Sequence, residues 1–226
     1  YLYDLKINIL DKKGEVLDAF KKRIGIRSIE MKGKEGLFLN GKPYREKLIG
    51  ANRHQDFAHI GNALSNNLHY RDALKLRQVG MRIIRSAHYV QDPAFMDACD
   101  ELGLFTIVTI PGWQYWNKNN PLFKERMLMD VRKLVRIETH YPQDYAIKAT
   151  KATKEEFPYP GNYTVCNART HRTQSQKYFD VLYDNDIDLN FEDKSIFKRE
   201  WGDFVDNWVD HNSVSRVAKQ WGEIPQ

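Results

Sequence analysis

Cysteine is nearly absent from this chain, with only Cys99 and Cys166 in 226 residues. That is too few for a disulfide framework, and no Cys-x-x-Cys pair offers metal-ligand spacing, so each reads as a small buried hydrophobe. No apolar run approaches the roughly 20 residues that span a bilayer, and no basic-then-apolar leader opens the sequence. Long blocks of one charge are missing too. The formal net charge is +5, but 35 Lys and Arg are interleaved with 30 Asp and Glu, the pattern of a solvated surface rather than a nucleic-acid patch. Internal repeats and low-complexity tracts are also lacking. What is present, 42% hydrophobic and 29% charged residues, suffices for a real core.

Residues 2–9 alternate polar and apolar, Lys12-Lys13-Gly14 is a turn, and residues 15–23 return as a second strand. Residues 27–31 and 36–39 continue in the same way. Asn40-Gly41, both tolerant of positive φ, is the strongest two-residue hairpin signal. Residues 1–45 therefore read as the tail of an antiparallel β domain. Because Tyr1 stands in the middle of an alternating strand, the natural N-terminus is expected upstream.

After Glu46 the pattern becomes strand-helix-strand, which implies a parallel sheet with crossover helices. Strands are expected at 47–51, 81–85 and 104–110. Between them lie a helix at 70–78, closed by Gly80, and one at 93–102, capped by Asp92 with Pro93 at its first position and stopped at Gly103. Residues 123–135 form a helix with Met127, Val131 and Leu134 on one face. A second helix, 145–157, follows with no apolar strand between, so a strand is expected to be absent there. The alternation resumes with strands at 163–166, 178–183 and 195–199.

Parallel sheets present their chemistry at the carboxyl ends of strands. Three such ends carry polar clusters here: Asn52-Arg53-His54, Arg85-Ser86-Ala87-His88-Tyr89, and Arg199-Glu200-Trp201-Gly202-Asp203. With the run from Asp97 to Leu104, this ordered series resembles glycoside hydrolase family 2, the β-galactosidase, β-glucuronidase and β-mannosidase group. Residues 23–27 and 38–43 resemble the strands that lead from that family's immunoglobulin-like sandwich into its barrel.

The resemblance implies an α/β fold, a (β/α)8 TIM barrel over 46–226, preceded at 1–45 by strands of an Ig-like β-sandwich. The barrel is expected to be incomplete, interrupted near 136–138 and truncated at the C-terminus, with its fourth and eighth strands lost. Retaining glycosidases need one carboxylate to attack the anomeric carbon and one acid to protonate the departing oxygen. By resemblance Glu200 is the nucleophile, and Glu138, in Ile137-Glu138-Thr139-His140-Tyr141-Pro142, is the nearest match to the acid/base. Ile137 stands where the family has an asparagine that bonds the sugar 2-hydroxyl.

Substrate contacts are expected from His54 and His88 on sugar hydroxyls. Arg53 is expected either on the sugar or on the nucleophile's carboxylate. Trp113 and Trp116 either stack on a pyranose or pack, and Trp201 shapes the floor beside Glu200. The chemistry requires no cofactor. The expected partner is a glycoside or oligosaccharide, a β-galactoside first, with no nucleic acid, no membrane insertion and homo-oligomerisation left open. A periplasmic or secreted location is expected over a cytoplasmic one. Two alternatives stand beside this: a metal-dependent barrel hydrolase using His54, Asp56, His59 and His88, and a carbohydrate-binding barrel without turnover.

Overall fold

The computed structural model describes residues 1–110, 117, 119–134, 138–139, 143–159, 163–167, 178–184 and 194–198. Strands β1 (Leu2–Leu10) and β2 (Val16–Gly25) pair antiparallel, Leu2 opposite Gly25. The Asp11 carboxylate closes their turn, accepting from the Lys13 and Glu15 amides at 2.8 Å. Ion pairs Arg23–Glu101 (2.9 Å) and Lys22–Asp97 (3.6 Å) tie β2 to the helix Pro93–Leu102. Both faces of the hairpin are exposed, Ile7, Ile9, Leu17 and Phe20 included. A sandwich needs two packed sheets, and among the described residues this one has no partner sheet.

A second antiparallel sheet joins β3 (Ile29–Met31), β4 (Leu37–Leu39) and β5 (Lys42–Pro43). Its hairpin turns at Asn40 (φ 53°) and Gly41 (φ 71°), both left-handed as expected from the dipeptide.

Parallel strands then form two arcs. The first is β6 (Gly50–Arg53), β7 (Ile83–Ser86) and β8 (Phe105–Ile107) in that order, joined by α1 (Asn66–Gln78) and α2 (Pro93–Leu102). Gly50 is required where β6 meets β7, because a Cβ there would run into the Ile83 carbonyl oxygen. In α2 the Asp92 carboxylate accepts from the Ala94 amide at 2.8 Å, and the chain leaves the helix at Gly103. Ala73, Ile84, Phe95, Ala98, Cys99 and Leu104 make the core between this arc and its helices.

The second arc follows α3 (Pro121–Leu134) and α4 (Gln143–Glu156). Its strands run in the order β9 (Glu138–Thr139), β10 (Val165–Asn167), β11 (Val181–Asp184) and β12 (Ser195–Lys198). The expectation of a lost fourth strand is corrected here, since β9 occupies that place as two residues. Its cause is geometric. Lys124 pairs with Asp144 at the helix starts, and Arg132 pairs with Glu155 (3.1 Å) and Glu156 (2.7 Å) at their ends, so α3 and α4 run parallel. Two parallel helices in succession thus have β9 between them, the order of a strand-helix repeat. Ile110, Met127, Val131, Tyr145 and Ala149 pack the helix pair.

The arcs face each other across an apolar interior. A cavity of about 120 Å³ is lined by Ile83 and Phe105 of the first arc, Val181 and Phe197 of the second, and Ile29 and Leu37 of the antiparallel sheet. That sheet closes the amino-terminal end of the strands. The Tyr163 hydroxyl donates to the Ile29 carbonyl (3.0 Å) and accepts from the Met31 amide (2.8 Å), and Ser195 Oγ donates to the Gly33 carbonyl (3.2 Å). Among the described residues no strand bond joins β8 to β9 or β12 to β6, so these strands make two arcs of a barrel rather than a closed one. No helix of the described residues is long and apolar enough to cross a membrane.

Candidate functional site

Successive strand residues point to opposite faces, and the paired register of β6 and β7 sorts the rim residues. Ile84 lies in the helix-facing core while Ile83 lines the interior. Arg85 therefore shares the interior face with Ile83, and its register partner Asn52 sits beside it, Oδ1 accepting from Arg85 Nη1 at 3.1 Å. Arg53 falls on the other face.

The expected contact of Arg53 with substrate or nucleophile is accordingly corrected. Its guanidinium is turned into the helix layer, where Nη2 donates to Asp72 Oδ2 at 2.8 Å and lies 3.3 Å from His69 Nδ1. Nη1 donates to Gln91 Oε1, and the guanidinium carbon stands 3.9 Å over the Phe95 ring. Arg85 is not among the expected site residues: alternation sets it opposite Ile84, and only the packing of Ile84 against the helices shows that Arg85's face is the interior one.

His54 and His88 follow β6 and β7 and come together edge to face, ring centroids 5.6 Å apart. Tyr89 stands beside them, 6.1 Å from the His54 ring. His54 is exposed and His88 half-buried. Glu138 is in β9, where Val165 pairs it, Val165 pairs Val181, and Val181 pairs Ser195. The ladder thus sets the Glu138 backbone level with Ser195, five residues before Glu200. Glu200 itself, Trp113, Trp116 and Trp201 lie outside the described residues, and β12 ends at Lys198, two residues short of Glu200. Among the described residues no three His, Cys, Asp or Glu side chains converge to hold a metal.

Two buried groups beneath the rim titrate abnormally. Burial pushes the Cys99 thiol up to about 12, so it behaves as an inert core side chain. Burial first, and the Arg53 cation second, hold His69 below the usual histidine range. Because guanidinium only donates, His69 Nδ1 must accept, which leaves the ring neutral with its proton on Nε2. The unfolded chain takes up a proton below about pH 6.5 and the folded one does not, so this site adds stability with rising pH. Below pH 6.5 stability should fall by up to ~1.4 kcal/mol per unit from this group until the depressed folded value is reached. Chemical denaturation of His69→Asn at pH 7 and pH 5 should show a shallower loss than the unsubstituted chain; an equal loss would mean that His69 does not resist protonation.

The family model described as Glycosyl hydrolases family 2, TIM barrel domain, matches residues 29–145. A β-galactosidase of Thermoanaerobacter pseudethanolicus is 36% identical over 121 residues, 53% of this chain and 16% of that protein. A putative β-glucuronidase of Formosa agariphila is 40% identical over 124 residues, 52% of this chain and 15% of that protein. The chain thus matches about one sixth of the length of these curated relatives. In fold it is similar to a Bacteroides uniformis β-glucuronidase 2 covalently bound to cyclophellitol-6-carboxylate aziridine. The TM-score is 0.68 at 24% identity, over 80% of this chain and 26% of that one.

Proposed function

Because the chain belongs to glycosyl hydrolase family 2, we propose that the protein carrying it hydrolyses β-glycosides with net retention, Glu200 being the attacking carboxylate. The observation that supports this most is β12, a parallel strand with buried Ser195 at its start, which ends two residues before Glu200. Strand ends of this kind present catalytic groups in barrels. Glu200 forms a bond to the anomeric carbon as the glycosidic C–O bond breaks, and water then hydrolyses the glycosyl ester. Arg85, 7% exposed on the interior face, supplies the positive charge that favours an ionised carboxylate there. His54 and His88 bond sugar hydroxyls. A β-galactoside is the first substrate to assay and a β-glucuronide the second, and the β1–β2 hairpin is read as the end of an Ig-like sandwich.

Glu138 is proposed as the acid/base that protonates the leaving oxygen. In a retaining reaction its carboxyl should lie roughly 5 Å from that of Glu200. The register of β9, which sets Glu138 level with the start of β12, favours a second reading in which sugar is bound without turnover. Leaving groups distinguish the two. If Glu138 is the acid, Glu138→Ala should slow alkyl glycosides by about 10²–10⁴-fold while aryl glycosides with acidic leaving groups still release their phenol. Equal rates for Glu138→Ala and the unsubstituted protein on both substrates would remove Glu138 from the mechanism, and sugar binding with no release from either substrate would favour the binding role.

A further inference from the structure

Arg53 is buried to 7% exposure on the helix-facing side of β6, yet its bonds reach the two segments that carry the rim histidines. We propose that Arg53 is a positioning residue, locking the segment after β7 to the segment after β6 so that His54 and His88 are held ring to ring. The lock has two sides. On the helix side, Asp72 and His69 of α1 take Nη2 and Phe95 of α2 lies under the guanidinium, which fixes the fork against both helices. On the rim side, Nη1 donates to Gln91 Oε1, and Gln91 Nε2 donates back to the carbonyls of Arg53 and Tyr89, each at 3.4 Å.

The same two segments are laced above it. The Ala87 amide donates to the Arg53 carbonyl at 3.1 Å. The Gln55 amide donates to the Tyr89 hydroxyl at 2.7 Å, and the Asp92 amide donates to Gln55 Oε1 at 2.7 Å. His54 lies between Arg53 and Gln55, and His88 lies between Ala87 and Tyr89, so each histidine is flanked on both sides by bonded residues. The planar fork serves Gln91 from Nη1 and Asp72 and His69 from Nη2, an arrangement that the three donors of an ammonium, all on one nitrogen, do not reproduce. A purely apolar residue would fill the space over Phe95 and leave Gln91 and Asp72 without their common partner.

That the held histidines meet sugar rests on the proposed function; the locking does not. Its direct readout is the cross-relaxation between the His54 and His88 rings in histidine-labelled samples of this chain. Arg53→Lys should weaken or abolish that signal while the chain remains folded by circular dichroism. Gln91→Leu cuts the rim side alone, leaving the helix-layer contacts intact, and should do the same; it decides the matter if Arg53→Lys fails to fold. An unchanged ring-to-ring signal in Gln91→Leu, or in a folded Arg53→Lys, overturns the inference.

In the full-length protein, Arg53→Lys should lower kcat/KM by about 10- to 100-fold, the usual consequence of a slightly misplaced contact group. On a His54→Ala/His88→Ala background the same change should cost no more than about twofold, because both groups being positioned are gone. Equal costs on both backgrounds would make Arg53 a stabilising residue only and also overturn the proposal. Absence of any glycoside turnover would count against the proposed function alone, since the ring-to-ring signal would still decide the positioning role.

Discussion

Glu200→Gly in the full-length protein should reduce turnover of a β-glycoside by roughly 10⁴-fold or more, the scale on which removal of a nucleophile acts. The loss should be chemical rather than structural. A glycine leaves room beside the anomeric carbon, so added azide should restore part of the rate with activated aryl glycosides and yield a glycosyl azide of inverted configuration. A hydroxide-like water cannot do the same at neutral pH, which is why the anion is the diagnostic. A mechanism-based fluorosugar should label Glu200 in the unsubstituted protein. Labelling of another carboxylate, or Glu200→Gly retaining activity, would end the assignment, while β12 and its register would stand unaffected.

Phe95→Ala should be the most damaging core substitution in the first arc. Phe95 is fully buried between Ile84, Ala73 and Ala98, and emptying such a site costs about 3–5 kcal/mol. The ring also lies under the Arg53 guanidinium, so its removal leaves a buried charge with less compensation, for which about 1–2 kcal/mol more is reasonable. Against a total stability of roughly 5–15 kcal/mol for a domain, that is enough to unfold much of the population at ambient temperature. Phe95→Leu should cost only part of it. Urea unfolding of the chain, with slope unchanged and midpoint lowered, is the measurement. A loss below about 1.5 kcal/mol for Phe95→Ala would show that the site collapses around the gap and that Arg53 does not depend on the ring.

Several elements were legible from local chemistry because single residues decide them. Asp92, Pro93 and Gly103 bound α2 at the expected residues, through a side-chain cap, a preset φ and a left-handed exit. Asn40-Gly41 specified a turn that only residues tolerant of positive φ adopt. Other boundaries were less visible. The start of α1 at Asn66, four residues before the expected Tyr70, is written in polar residues with Leu68 the one aliphatic among them. Periodicity cannot detect a helical turn that has little apolar face.

The grouping of strand-end clusters into one rim was readable in the chain, since a strand-helix-strand alternation places successive carboxyl ends on one side of a sheet. Which side chains of a cluster enter the interior was not, because that depends on strand register. One residue of shift exchanges Arg53 for Asn52 and Arg85 for Ser86, and only the pairing of β6 with β7 and the packing of Ile84 against α1 and α2 settled it. The same holds for Glu138. Its sequence neighbours suggest a strand end, but its height on the sheet follows from the parallel run of α3 and α4 and the rungs of β9 through β12. Identity and spacing are one-dimensional quantities and survive in the sequence; facing and height are relations between segments far apart in it, and they exist only once those segments have packed.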